Sequence, residues 1–233
     1  MDSQISTRNK KARLAGLLYL LLVICGLAYL VYVPSQIVDW DNATRTLENL
    51  ERKEMLFKLG IVAAICSFII FILLPLALYR LLKEVDKNAA LLMALLAILS
   101  VPISFVNILN KFTILSLLET PEPQKGNDLA YQVMFYLEQY SNGTELLQIF
   151  WGLWLLPFGY LVYRSVFLPK LLGILLMLGC FGYLITFFGG FLYPGFSKTV
   201  FSTIVALPAS IGEIGTCLWL LIMGTNTVKF AKK

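Results

Sequence analysis

Apolar residues fill six long runs along the chain, at about residues 14–33, 56–82, 89–118, 145–164, 171–193 and 200–223, with short polar segments between them. A helix rising about 1.5 Å per residue needs about 20 such residues to cross a bilayer, and each run is long enough. The pattern predicts an all-α polytopic membrane protein. It is a six-transmembrane-helix bundle forming a single membrane domain over residues 1–233, with the N-terminus and C-terminus cytoplasmic. Composition agrees, at 58% hydrophobic and 14% charged residues with a mean hydropathy of +0.77. A soluble domain of this length could not hide so much apolar surface in one core.

The boundaries carry further expectations. The first run, Leu14 to Val33, follows Arg8, Lys10, Lys11 and Arg13. It is too long for a cleaved leader and has no small-residue cleavage site, so it reads as an anchored first helix. Pro34 and Ser35 are expected to end it. Beyond them, Leu47 and Leu50 at helical spacing predict a short surface helix, capped at Asp41 or Asn42. The third run exceeds what a bilayer needs and is expected to tilt or project. Pro121 and Pro123 then break the chain, and Leu129 to Tyr140 reads as an interfacial helix separate from the fourth span.

Charge orients the bundle. The N-terminus (Arg8, Lys10, Lys11, Arg13), the second loop (Arg80, Lys83, Lys87), the fourth loop (Arg164, Lys170) and the C-terminus (Lys229, Lys232, Lys233) together hold twelve Lys and Arg. Cations collect on the cytoplasmic side, so these four segments are placed there. The opposite loops hold Lys125 and Lys198, and the first also carries Arg45, Arg52, Lys53 and Lys58 beside offsetting acids. The net charge of +5 is therefore assigned to helix ends facing membrane lipid and not to a nucleic-acid surface.

Several chemistries drop out. Histidine is absent, which removes Ser-His and Cys-His pairs, histidine zinc sites and histidine-ligated haem. Cys25, Cys66, Cys180 and Cys217 lie in apolar runs without a CxxC motif and read as small hydrophobes. No cofactor and no metal site is expected.

What remains is polar residues at membrane depth, where a charge needs a partner or a cavity. Glu213 lies near the middle of the sixth run, with Ala206, Ala209, Ser210, Thr216 and Cys217 on its helical face. That small face is expected to pack on other helices, leaving the Leu220 side for lipid. In the third run, Ser100, Ser104, Asn107 and Lys111 recur at spacings of four, three and four, with Asn110 and Thr113 close by. By helical rise, Lys111 lies roughly 10 Å and Glu213 about 20 Å below the outer helix ends. Glu145, beside Gln148 at the outer start of the fourth run, is nearer to Lys111 in depth. Lys111 is thus expected to pair with Glu145, and Glu213 with Asn107 or a tyrosine hydroxyl. Glycines of the fifth run, among them Gly173, Gly179 and Gly182, predict close helix packing.

Arg13-Leu-Ala-Gly-Leu-Leu-Tyr19, Leu56-Phe-Lys-Leu-Gly60, Gly159-Tyr-Leu-Val-Tyr-Arg-Ser165, Phe167-Leu-Pro-Lys170 and Gly212-Glu213 occur in this order. In these segments the chain resembles the membrane family catalogued as domain of unknown function 4386, over nearly its whole length. The resemblance implies a bacterial six-helix protein of the inner membrane and treats Gly212-Glu213 as a motif. It supplies no activity. Members often carry a histidine in the fourth span, where this chain has Trp154.

Three function classes fit. The first is a non-enzymatic binding, accessory or structural protein built around Glu213, which as a subunit would need a protein partner or a second copy. The second is a small proton-coupled permease using Glu213 and the Ser100, Ser104, Asn107, Lys111 stripe. The third, a lipid-modifying enzyme, would need Lys111 as base to Ser100 or Ser104.

Overall fold

The computed structural model describes residues 2–119 and 127–225; Pro121, Pro123, Lys125, Lys229, Lys232 and Lys233 lie outside the described residues. Every regular element among the described residues is helical. Six helices are long and apolar enough to cross a membrane: α1 (Thr7–Ile37), α3 (Glu54–Leu82), α4 (Lys87–Glu119), α5 (Asp128–Arg164), α6 (Lys170–Leu192) and α7 (Val200–Met223). A short helix, α2 (Ala43–Arg52), lies between the first two.

Two expected boundaries give way. Pro34 does not end α1. A π-helical turn at Ala28–Tyr32 precedes it, the Val33 amide donates to the Ala28 carbonyl, and Pro34 opens a further turn that ends at Ile37. Widening the turn before proline removes the clash between its ring and the preceding backbone, so the helix continues. Nor is Leu129 to Tyr140 a separate interfacial helix. It is the first half of α5, helical from Asn127 to the break at Trp154. Ala130, Val133, Met134, Leu137 and Tyr140 are buried along one face, so packing against α2 and α4 carries the helix through its polar stretch.

The short helix follows expectation. The Asn42 side chain accepts from the Arg45 amide and caps α2, and Leu47 and Leu50 are buried. It lies across the end of the bundle against α5.

The spans form a ring in chain order: α1 packs on α3, α3 on α4, α4 on α5, α5 on α6 and α6 on α7, and α7 returns to α1. Small residues set the closest approaches. A side chain at Gly16 of α1 would collide with the backbone of Leu220 and Leu221 in α7, and one at Gly182 of α6 with the Val205 carbonyl. Because Gly16 leaves this space, Leu220 is fully buried and does not face lipid. The Cys217 thiol also approaches the Gly16 carbonyl, at 3.7 Å. The Thr225 amide donates to Asn9 Oδ1, so both ends of the described chain meet at one end of the ring.

The outer surface of the ring is apolar as well. Ile24, Leu59, Leu91, Leu178 and Ile204 are all exposed, as a protein dissolved in lipid requires.

Candidate functional site

Within the ring, the half nearer the termini is filled by aromatic side chains. Trp154 of α5 stacks on Phe158, 5.2 Å between ring centres, and meets Phe71 of α3 edge-on at 5.4 Å. Tyr19 of α1 closes the cluster at 6.3 Å from Trp154. Tyr19, Trp154 and Phe158 are essentially without exposure, so this plug seals one end.

Above the plug the ring is hollow. A cavity of about 150 Å³ is lined by Tyr19, Tyr29, Ser104, Trp151, Tyr183 and Glu213, among others. Glu213 is only partly buried, with its carboxylate held from two sides. The Tyr19 hydroxyl donates to Oε2 at 3.2 Å, and the Tyr183 hydroxyl donates to Oε1 at 3.4 Å. Of the two partners expected for Glu213, the tyrosine hydroxyl is the one present; Asn107 is engaged elsewhere. Glu213 is the only acid among the residues lining this chamber.

Two further cavities adjoin it. One of about 210 Å³ lies toward the end carrying α2, between Val33, Ile37, Trp40, Phe57, Lys111 and Tyr140. It shares Tyr29 and Leu30 with the chamber. The other, about 290 Å³, lies between α1, α5, α6 and α7, lined by Leu30, Gln148, Thr186, Ala206 and Ser210. It shares Leu30, Trp151 and Tyr183 with the chamber. Ser210 lines it while being exposed, so this cavity reaches the lipid-facing surface between α1 and α7.

The third-run stripe is buried but mostly engaged with backbone. Ser100 donates to the Ala97 carbonyl at 2.7 Å and Ser104 to the Ser100 carbonyl at 2.9 Å. Asn107 reaches across to α5, donating to the Tyr140 carbonyl at 2.9 Å and to Thr144 Oγ1 at 3.2 Å. It fits there because position 143 is glycine: a side chain at Gly143 would occupy the space of the Asn107 amide. Ser104 alone of the stripe lines the Glu213 chamber.

Lys111 does not pair with Glu145. Glu145 is exposed, while the Lys111 ammonium group is buried 4.0 Å from the centre of the Tyr140 ring and 5.8 Å from that of Phe57. Glu145 is the nearer acid in depth, but its side chain is turned out to the surface while that of Lys111 is turned inward. The ion pairs among the described residues are Arg45 with Asp39 and Lys58 with Glu54. A Ser–Lys base pair is not assembled either, since both serine hydroxyls point back into their own helix. No group of three or more Cys, Asp or Glu side chains comes together among the described residues.

Of the residues singled out from the sequence, Glu213 and Ser104 line the chamber and Gln148 the adjoining cavity; not among them are the surrounding rings of Tyr19, Tyr29, Trp151, Trp154 and Tyr183. The first of these stands in the Arg13-to-Tyr19 motif, which was a usable signal; the others look like ordinary interfacial aromatics.

A carboxylate and two phenols meet in a chamber lined by aromatic side chains. A comparison with curated proteins finds an uncharacterized protein of Archaeoglobus fulgidus, 29% identical over 165 residues, which are 71% of this chain and 83% of that protein. No solved structure matches. The model of the family described as domain of unknown function DUF4386 matches residues 14–224, and this multi-pass membrane protein belongs to that family.

Proposed function

We propose that the protein is a non-enzymatic membrane binding protein that holds a small hydrophobic molecule in the chamber around Glu213. The observation that supports this reading is the position of the Glu213 carboxylate, which borders a cavity of about 150 Å³ while tyrosines of α1 and α6 hold its two oxygens. A carboxyl serving only to tie helices together would be enclosed by them. The proposed setting is the cytoplasmic membrane with both termini in the cytoplasm, on the strength of Arg8, Arg80, Lys83, Arg164 and Lys170 toward the end where Asn9 meets Thr225. Lipid is the surrounding partner.

The test fills the chamber. An added Cβ at Gly26 meets nothing within 4 Å, and Gly26 borders the cavity. Gly26→Leu should therefore fold and occupy the space. Binding of a neutral apolar fluorophore to nanodisc-embedded protein, measured above empty discs, should be lost in Gly26→Leu. Binding unchanged by that substitution would count against the chamber.

A second reading, a proton-coupled permease, draws on one observation: Tyr29 and Leu30 join the chamber to the Lys111 cavity, making a row of spaces toward one end of the bundle. It requires the plug of Trp154 and Phe158 to open. Uptake into proteoliposomes driven by a pH gradient and abolished in Glu213→Gln is its test.

A further inference from the structure

Building on the binding reading above, we infer that the chamber takes a single-chain cationic amphiphile, whose alkylammonium head sits against Glu213 and whose tail leaves between α1 and α7 into the bilayer.

Charge supports the first half. Glu213 is met by two neutral donors, Tyr19 and Tyr183, and by no cation among the described residues. The buried ammonium among the described residues, on Lys111, is turned toward Tyr140 in a different cavity. A carboxylate placed at membrane depth without a counter-ion is expensive, and a ligand cation supplies one. The chamber walls favour the same class of ligand. Tyr29, Phe68, Phe71, Trp151 and Trp154 line it, and aromatic faces attract organic ammonium groups, most strongly when water is excluded. An anionic head would meet the Glu213 charge instead and gain nothing from the rings.

Size and shape support the second half. At about 150 Å³ the chamber is well below the roughly 300–1,000 Å³ of pockets that enclose drug-sized ligands. It has room for a small head group and not for a chain. The adjoining cavity of about 290 Å³ continues from Trp151 and Tyr183 past Leu30, Ala206 and Ser210 to the lipid-facing surface. The contacts that hold α1 to α7 lie below it, at Gly16 with Leu220 and Leu221 and at Tyr19 with Glu213. At the level of Leu30 the two helices border a space.

The experiment compares three amphiphiles with one tail: dodecyltrimethylammonium, dodecanol and dodecyl sulfate. Binding to the protein in zwitterionic nanodiscs is measured by calorimetry, with empty discs as the baseline. The cation should bind about tenfold or more tighter than the alcohol, and the sulfate should not bind. Glu213→Gln keeps its shape and one acceptor oxygen for one tyrosine hydroxyl, turns an amide donor to the other, and should bring the cation to the level of the alcohol. Cation and alcohol binding alike in the natural protein, or preferred binding of the sulfate, would overturn the inference while leaving the chamber reading in place. Failure of all three probes to bind above empty discs would overturn both.

Discussion

The ammonium group of Lys111 lies 4.0 Å from the centre of the Tyr140 ring, and Phe57 borders it at 5.8 Å. In a water-poor interior an aromatic face can hold a cation where no carboxylate is in reach. Asn107 anchors the same turn of α5 by bonding the Tyr140 carbonyl, so α4 grips α5 through backbone and ring together.

Removing the ring should therefore hurt more than removing the charge. Tyr140→Leu strands a buried cation and should cost about 2–4 kcal/mol of stability. Lys111→Met keeps the stem and should be neutral or stabilising by up to about 2 kcal/mol. A double-mutant cycle read by unfolding in mixed micelles should give coupling of about 1 kcal/mol or more. Glu145→Gln, at an exposed site, should change stability by less than about 0.5 kcal/mol. A large loss in that last variant would restore the ion pair that the geometry denies.

Gly143→Ala should displace the Asn107 amide and break its bonds to Tyr140 and Thr144. Two buried hydrogen bonds at stake imply a loss of about 1–3 kcal/mol. Asn107→Ala alone should cost a similar amount, and the pair of substitutions together should cost much less than their sum. Additive losses in thermal unfolding would mean that the two residues do not share one contact.

At the opposite end, Gly16→Leu places a branched side chain into the backbone of Leu220 and Leu221. Helices α1 and α7 would be forced apart, at a cost of about 3 kcal/mol or more. The consequence for the site is specific, because Tyr19 lies one turn further along α1 and would lose its reach to Glu213. Crosslinking between cysteines introduced at Asn9 and Thr225, which meet in the structure, should fall in this variant and persist in Gly26→Leu.

Trp154→Ala removes the largest side chain of the plug, which touches Tyr19, Phe71 and Phe158. The expected loss is about 3–5 kcal/mol. The chamber should also extend toward the end where Asn9 meets Thr225. A thiol-reactive, membrane-impermeant reagent applied from that end should then label a cysteine placed at Ser104, which it should not reach in the natural background. Equal labelling with Trp154 present would show that the plug does not seal.

The six spans were legible because a bilayer demands long apolar runs, and Glu213 was legible because a carboxyl is out of place within one. What faces what was harder to read, for one physical reason. Ile204 points to lipid and Leu220 to the protein interior, yet both are apolar, since lipid and protein core reward the same side chains. Helices that are hydrophobic all round carry no stripe from which to orient them. The same limit hid Tyr183 and Trp151, whose rings fit a membrane interface as well as a chamber wall. The continuity of α5 was lost differently: Asn142 and Gly143 resemble a loop until Asn107 of another helix is known to fill the gap beside them.

In the proposed binding role, the cavity bordered by the exposed Ser210 has its mouth among acyl chains. A site reached that way exchanges with the membrane and not with the aqueous phase, so its occupancy follows the mole fraction of ligand in the bilayer. A molecule scarce in water but strongly partitioned would saturate it. Two compounds with equal contacts inside the chamber would differ in apparent affinity by the ratio of their partition coefficients.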